Sequence, residues 1–434
     1  MPGLRAGAAK VDITPDYPVW LDGNPRDRKS EGVHDPISAR ALVLECADGP
    51  IVLVSLELCA LPADTLCRVR EQVARAAGVP PERQVVACAH VHSAPALYGY
   101  FCPREEDYAD WIVPRVGELV AEARHRAVPA LAGSGKGMEP TISEYRRLWT
   151  KDGRIVMNWE DFAQDDILGP AGPADPDVGV VRIDAEAGDT IAVIFNHAGH
   201  PNTPPGTWFQ ISGDYPAHAS GLIEGELGGV ALFTNGAQGS VDVPAFKERD
   251  WEGMQRKGAW LAREVLAVAR DARPARGDCH LEQATLGLGK RRVDPEYLLW
   301  ARGVLARADE HAVNIRDGVD EETYARMCVN LADSGPEKYD VEMMGLALGG
   351  AAFVTVPGEL FTEIGLRIKR LSPLESTFII GLANGCLGYI PTGRAIREGG
   401  YATRPGSSCL IEDAEDLIVE HALMLLGRLH ARMV

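Results

Sequence analysis

The chain has 434 residues, 46% of them hydrophobic, so it is long enough to bury a sizeable core. It carries 44 Lys and Arg residues against 62 Asp and Glu residues, a formal net charge of −18. Because nucleic acids and anionic membranes recruit basic surfaces, this balance argues against both kinds of partner.

The predicted elements alternate between strands and helices. Two short apolar runs separated by an Asp-Gly turn predict a hairpin, at residues 41–46 and 51–56. Helical spacing of apolar residues follows at 61–77. Further strands are predicted at 84–89, 178–183, 190–195 and 230–233, and further helices at 110–127, 251–272 and 412–433. The alternation predicts one α/β domain over residues 1–434, a single large domain with a mixed β-sheet flanked by helices.

The amino terminus and the cysteines bear on location. The first residues contain no continuous apolar segment like that of a secretory signal, and no stretch reaches the roughly 18 apolar residues of a membrane span. The nine cysteines are scattered and none forms a CxxC pair, so neither a zinc knuckle nor a disulfide framework is indicated. These features predict a cytoplasmic protein without stable membrane insertion.

Histidines occur at the ends of two predicted strands. In AHVHSAPA, residues 89–96, His90 and His92 are two apart at the end of a strand, where such residues face the same side, so the two imidazoles are expected to project together. In IFNHAGHPN, His197 and His200 follow another strand. Paired imidazoles at a strand end suit a metal ligand beside a catalytic base, although such histidines also occur simply as polar residues that close a strand.

Three more segments carry groups that suit a site. The glycine-rich loop FTNGAQGSVDVP, residues 233–244, exposes backbone N–H groups that suit an anion, but a tight Asn-Gly turn explains it equally well. Glu359 in VPGELF lies near the start of a predicted helix, where a carboxylate complements the helix dipole. Tyr389 in GLANGCLGYIPT follows a strand, with Tyr401 shortly after it, and either is also consistent with an ordinary half-buried tyrosine.

These five segments, in this order, resemble the amino-terminal catalytic domain of the neutral (non-lysosomal) ceramidases. The opening AGAAKVDITP and the segment GVHDPISARALVLE are similar to the family's first strands. The resemblance implies one zinc ion held by four side chains, namely His90, His200, Glu359 and Tyr389. It implies catalytic roles for three others, namely His92, Arg146, which would hold the substrate carbonyl, and Tyr401.

Two of these assignments have a neighbouring alternative, and the chain departs from the family in three places. His200 fits the family's His-Pro motif better than His197 because a proline follows it, and Arg147 stays an alternative to Arg146. No serine occupies the place in NGAQGS where ceramidases have a Ser-Asn pair. Glu57 stands where relatives usually have aspartate. The chain ends near the expected end of the catalytic domain, so no carboxy-terminal immunoglobulin-like domain is expected.

The reaction that the resemblance implies is hydrolysis of an amide bond through zinc-activated water. The acidic charge and the low aromatic content, 6%, favour a substrate that is smaller or more soluble than ceramide. The same groups would also cleave an ester, a lactone or a glycosidic bond, and a non-catalytic zinc- or ligand-binding protein is the remaining alternative. The expected partner is a small-molecule or lipid-like amide, and assembly into a homo-oligomer stays open.

Overall fold

The computed structural model describes residues 3–244, 248–307, 315–316, 319–334 and 336–433. Its helices are α1 (Ala63–Ala77), α2 (Glu106–His125), α3 (Asp214–Leu227), α4 (Trp251–Asp271), α5 (Pro295–Ala306), α6 (Glu321–Asp333), α7 (Thr362–Leu371), α8 (Gly393–Glu398) and α9 (Ala414–Met433). Its strands are β1 (Arg5–Asp12), β2 (Gly32–Val33), β3 (Ser38–Cys46), β4 (Gly49–Leu56), β5 (Gln84–Cys88), β6 (Val128–Met138), β7 (Glu144–Tyr145), β8 (Arg147–Thr150), β9 (Ile155–Met157), β10 (Ile167–Pro170), β11 (Asp177–Ala185), β12 (Thr190–His197), β13 (Gln210–Ile211), β14 (Val230–Asn235), β15 (Val241–Asp242), β16 (His280–Gly289), β17 (Ile315–Arg316), β18 (Val319–Asp320), β19 (Lys338–Leu348), β20 (Ala351–Val356), β21 (Glu359–Leu360), β22 (Thr377–Gly381) and β23 (Tyr389–Ile390). The predicted α/β fold class is confirmed.

Two mixed sheets form the centre of the molecule. The larger has eight strands in the order β14-β12-β11-β6-β1-β3-β4-β5, and the smaller has four in the order β16-β19-β20-β22. Most neighbouring strands are antiparallel, whereas β4/β5, β12/β14 and β20/β22 are parallel. The predicted hairpin is the β3/β4 pair, in which Leu42 lies opposite Leu53.

The two sheets pack against each other, and helices cover their outer faces. Along β3, Leu42 and Leu44 belong to the core between the sheets, together with Phe353 of the smaller sheet. The alternate residues Ala41 and Val43 belong to the core that also contains apolar residues of α1 to α4. Helices α7 and α9 cover the other face of the smaller sheet. Because β3 is buried on both faces, its sequence is a continuous apolar run rather than an alternating one. The second sheet is an addition that the sequence did not reveal.

One strand ends earlier than predicted. β5 stops at Cys88, and His90 adopts a φ of 69°, in the left-handed region that non-glycine residues rarely occupy. The expectation that His90 and His92 share one face of a strand is therefore wrong, because both lie in the loop that follows it. Such unusual backbone geometry is often found at functional sites.

The cysteines and helices bear on the predicted location. Cys46 at the end of β3 is joined to Cys279 by a disulfide bond across 233 residues of sequence. No local motif marks this pair, so the sequence analysis did not predict it. The cytoplasmic location stays a prediction. Within the described ranges, no helix is both long and apolar enough to span a bilayer.

Candidate active site

The predicted histidines meet where β5 and β12 end. The Nε2 atoms of His90 and His200 are 3.2 Å apart, and the Nε2 atom of His92 is also 3.2 Å from that of His90. Glu359 brings its Oε2 atom to 3.2 Å from the same nitrogen. All four side chains are buried. Residues from three distant parts of the chain thus converge on one point, which we call the histidine cluster.

The histidine cluster has the donor atoms of a metal site. His90 Nδ1 lies 3.0 Å from the carbonyl oxygen of Cys59, which can only accept, so Nδ1 carries the proton and Nε2 offers a lone pair. Glu359 Oε2 is buried and has no hydrogen-bond donor in the described part of the chain. One ligand atom each of His90, His200 and Glu359 lies within 4.8 Å of the others. Two imidazoles and a carboxylate are zinc ligands, and a cation would compensate the buried oxygen.

Cys59, His90 and His92 form a second group of atoms that lie within 4.8 Å of one another. The Cys59 Sγ atom approaches His90 from its Nδ1 side, at 3.6 Å. Since Nδ1 is committed to a carbonyl oxygen, His90 cannot use it for a metal. The set that gathers at Nε2 is therefore the better candidate, although Cys59, which the sequence analysis did not single out, lies directly behind it.

Glu359 and Tyr389 are brought together by backbone pairing. The short strands β21 and β23 are parallel, and Glu359 lies opposite Tyr389 in their register. A Cβ atom on Gly239 would lie 2.1 Å from the carbonyl oxygen of Glu359, so only glycine lets the 233–244 loop approach β21 this closely. Glu359 lies on β21, before the start of α7, and not in the helix. Burial raises the pKa of Tyr389, and the nearby Arg146 guanidinium opposes that shift.

The two neighbouring arginines point in different directions. The Cζ atom of Arg146 lies 4.8 Å from the ring centre of Tyr389 and 5.7 Å from that of Tyr401. Arg147 instead donates hydrogen bonds to backbone carbonyl oxygens of Ala395 and Gly399, within and just after α8. The structure therefore places Arg146, and not Arg147, beside the histidine cluster.

The two histidines at the end of β12, His197 and His200, also lie apart. His197 Nδ1 lies 3.3 Å from the carbonyl oxygen of Asp177, away from the cluster that contains His200. The loop after His200 is held by Asp214, whose carboxylate accepts a hydrogen bond from the Thr203 backbone N–H at 2.8 Å. His200, rather than His197, is thus positioned to share a metal ion with His90.

Asn235 links the two histidine loops. Its side-chain oxygen accepts a hydrogen bond from the Gly199 N–H at 3.2 Å, and its Nδ2 atom donates to the Ala89 carbonyl oxygen at 3.0 Å. The first contact lies next to His200 and the second next to His90. The 233–244 loop therefore has a positioning role here. Its predicted alternative, anion binding through backbone N–H groups, has no support from these contacts.

His92 is fixed by contacts on both sides of its backbone. Its N–H donates to the Pro201 carbonyl oxygen at 3.1 Å, and its own carbonyl oxygen accepts from Arg26 Nη2 at 2.8 Å. A Cβ atom on Gly23 would lie 2.3 Å from the His92 ring, so that position requires glycine. Burial, and then the charges of His90 and Arg26, hold the pKa of His92 well below its usual range. These surroundings favour the neutral form of the His92 imidazole.

Two cavities open onto the histidine cluster. The small cavity, about 50 Å³, is lined by both histidines of the 89–96 segment and by residues that include Asp22, Cys59, Tyr98, Tyr100 and Met327. The large cavity, about 200 Å³, is lined by His92 and His200 and by residues that include Asn24, Arg146, Trp159, Asp242 and Arg249. Tyr389 and Tyr401 line both cavities. Asp22, Cys59, Asp242 and Arg249 were not predicted, because single polar residues in separate loops carry no recognisable spacing.

Comparison with known proteins identifies the fold. No protein-family model matches the sequence, and no curated protein matches it by sequence. By structure, the chain has the fold of neutral ceramidases, which confirms the resemblance at that level. The neutral ceramidase from Pseudomonas aeruginosa superposes with a TM-score of 0.74 and 17% identity, over 99% of this chain and 75% of that one. A ceramidase complexed with C2 gives a TM-score of 0.74 and 17% identity, over 100% of this chain and 76% of the other.

Proposed function

We propose that this protein is a zinc-dependent hydrolase that cleaves an amide bond in a substrate smaller or more soluble than ceramide. The observation that carries the proposal is the convergence of His90, His200 and Glu359 on one point, with His92 beside them. The fold shared with ceramidases supports an amide as the bond that is broken.

The proposed zinc ligands are His90, His200, Glu359 and Tyr389. Two imidazole nitrogens, one carboxylate oxygen and one phenolic oxygen form a suitable donor set. The unpartnered Oε2 atom of Glu359 and the lone pair on His90 Nε2 support this assignment. Zinc held there would supply Lewis-acid chemistry, since zinc lowers the pKa of a bound water molecule towards about 7.

His92 is the proposed general base. The neutral ring accepts a proton from the attacking water and returns it to the leaving nitrogen as the amide bond breaks. Its position against Gly23 and its two backbone hydrogen bonds hold the ring beside the other histidines without a contribution from the substrate. Preorganisation of this kind avoids the cost of orienting the base during the reaction.

Arg146 and Tyr401 are the proposed partners of the substrate oxygen. Arg146 is buried, one of its nitrogens donates to the Gly239 carbonyl oxygen at 2.8 Å, and its Nε atom has no hydrogen-bond partner among the residues described. Tyr401 lies close to Tyr389, with ring centres 5.7 Å apart. As the carbonyl oxygen gains negative charge, a hydrogen bond from a guanidinium strengthens, and this lowers the barrier.

The surroundings of the site support a soluble substrate. A protein that takes a two-chain lipid from a membrane needs an exposed apolar surface near its site. None of the exposed large apolar side chains in the described ranges lines either cavity. The proposal therefore predicts that ceramide in mixed micelles is a poorer substrate than small N-acyl compounds.

An isosteric pair tests the function. An N-acyl amide and the matching ester are given to the purified protein, to the protein after chelation, and to the chelated protein with zinc restored. We expect amide hydrolysis that disappears with chelation and returns with zinc. Cleavage of the ester alone would replace the proposal with its esterase alternative. Absence of turnover across a broad panel, with metal still bound, would contradict a catalytic role.

A further inference from the structure

The two cavities differ in chemistry as well as in size. The small cavity is lined by five tyrosine or phenylalanine rings, by Met327 and by two thiols, whereas the large cavity is lined by fewer such rings and by two amides, two guanidinium groups and one carboxylate. Ligand pockets for drug-sized molecules span roughly 300–1,000 Å³. At about 50 Å³ and about 200 Å³, the two cavities together remain below that range. A substrate that spans both is therefore small, with a short apolar group on one side of the histidine cluster and a polar group on the other.

The two cavities also differ in the charged side chains that line them. Asp22 lies in the wall of the small cavity, where its carboxylate accepts hydrogen bonds from the Tyr98 and Gly99 N–H groups, at 2.8 Å and 3.3 Å. Two guanidinium groups, Arg146 and Arg249, line the large cavity against the single carboxylate of Asp242. The large cavity, with more guanidinium groups than carboxylates, would attract an anionic substrate group, whereas no arginine or lysine among the described residues lines the small cavity.

Arg249 has the geometry of an anion-binding residue. Its Nη2 atom lies 3.2 Å from Asp242 Oδ1 and donates to the Val243 carbonyl oxygen at 3.2 Å. Its Nε atom is buried and has no partner within the described ranges, and the same is true of Arg146 Nε. The Arg249 side chain is only 20% exposed. Because both guanidinium groups line the large cavity, an anion bound there could accept charge-assisted hydrogen bonds from them.

We propose that the substrate carries an anionic group, held by Arg249 in the large cavity, and a short apolar group in the small cavity. This inference rests on the proposed function, because it places the scissile amide between the two cavities, at the histidine cluster. It names Arg249 as a specificity-determining residue. A carboxylate, a sulfate or a phosphate could each accept hydrogen bonds from Arg249. The experiment below first finds on which side of the amide the anion lies and then compares the kinds of anion.

The test compares anionic amides with neutral partners of the same shape. One pair is an N-acetyl amino acid and its carboxamide, with the anion on the amine side; the other is N-methylsuccinamic acid and its carboxamide, with the anion on the acyl side. Binding is measured by calorimetry on His92→Ala, so that turnover does not intervene, and kcat/KM on the wild type. In at least one pair we expect the anionic member to bind about 10-fold more tightly than its neutral partner. Sulfonate and phosphonate analogues of that member then show which anion binds most tightly.

Arg249→Gln should remove most of that preference, and Arg249→Lys, which keeps the charge but loses the planar donors, should retain part of it. The control is Arg182→Gln, since Arg182 has similar exposure and also pairs with a carboxylate, that of Asp184. This variant should leave the ratio of anionic to neutral affinity unchanged.

Equal or tighter binding of the neutral members, no binding of any member, or an unchanged affinity ratio in Arg249→Gln would overturn the inference. Amide turnover without anion preference would refute this inference alone, whereas anion-selective binding without turnover would refute only the proposed function.

Discussion

A group of mostly buried charged side chains and the histidine cluster differ in how completely their polar atoms are paired. In the first, Arg40 donates to Glu57 and, at 2.9 Å, to Glu224. The second oxygen of Glu57 accepts the Ser38 N–H at 2.7 Å, and Lys10 contacts Glu224 at 2.9 Å. We call this the ion-pair cluster. No side-chain atom of its charged members is among the buried atoms that lack a partner in the described residues.

The histidine cluster is also buried, but several of its polar atoms lack a hydrogen-bond partner. Glu359 Oε2, Arg146 Nε and His92 Nδ1 are buried without a hydrogen-bond partner in the described part of the chain. Folded proteins rarely leave such atoms unpaired unless a ligand, an ion or water completes them. Burial of charge is therefore common to both clusters, and of the two only the histidine cluster leaves buried polar atoms without a partner among the described residues.

The largest expected effect is a difference in protein stability between a variant of the ion-pair cluster and a variant of the histidine cluster. Arg40→Met leaves the buried carboxylate of Glu57 without a cationic partner, while Glu224 keeps only Lys10, and it should lower the free energy of unfolding by about 3–5 kcal/mol. Glu359→Gln, in the metal-free protein, removes an oxygen that has no donor and should cost about 1 kcal/mol or less. Urea unfolding of both variants measures the difference. Equal losses would mean that the histidine cluster is also a structural ion-pair network.

The next effect concerns turnover. His92→Ala should reduce kcat by about 100-fold or more, equivalent to about 2.7 kcal/mol, because the general base is lost. His197→Gln is the control, since His197 is equally buried but lies outside the cluster, and it should keep kcat within about threefold. Steady-state kinetics on the amide substrate provide the comparison. A similar loss in both variants would indicate a general effect of disturbing buried histidines.

A smaller effect concerns the link between the histidine loops. Asn235→Ala removes two buried hydrogen bonds, at about 1 kcal/mol each, and should also lower kcat by misplacing His90 and His200. Asn196→Ala provides the match, because Asn196 is buried and donates to the carbonyl oxygens of Thr234 and Ile379. Both variants should lose similar stability, but only Asn235→Ala should lose activity. If activity fell equally in both, Asn235 would have no specific positioning role.

From the sequence, the residues of the histidine cluster were predicted more accurately than the backbone geometry that brings them together. His90, His200 and Glu359 were assigned as ligands through the resemblance to the ceramidases, on motifs that follow apolar strands or a Pro-Gly turn and are visible in the sequence. The reason given for pairing His90 with His92 was wrong, because the strand stops at Cys88 and the loop bends through a positive φ at His90. Strand ends depend on tertiary contacts, and alternation alone does not mark them.

Other features carried no sequence signal. The second sheet was not predicted as a separate layer, since an apolar run predicts a buried strand but does not reveal which sheet the strand joins or what packs against it. Arg249 and Asp22 appear as ordinary loop residues until the fold places them around the cavities. Glu57, noted only as a departure from the family, is paired with Arg40. The cytoplasmic location, the homo-oligomer and the extent of the domain stay predictions.

The zinc content of four proteins tests the central claim most directly. Metal analysis by mass spectrometry should find about one zinc per chain in the wild type and in His92→Ala, because His92 is proposed as a base and not as a ligand. His90→Ala and Glu359→Ala should lose most of their zinc while circular dichroism shows that the fold survives. Full zinc occupancy in both ligand variants, or loss of zinc from His92→Ala, would contradict the assignment of the site.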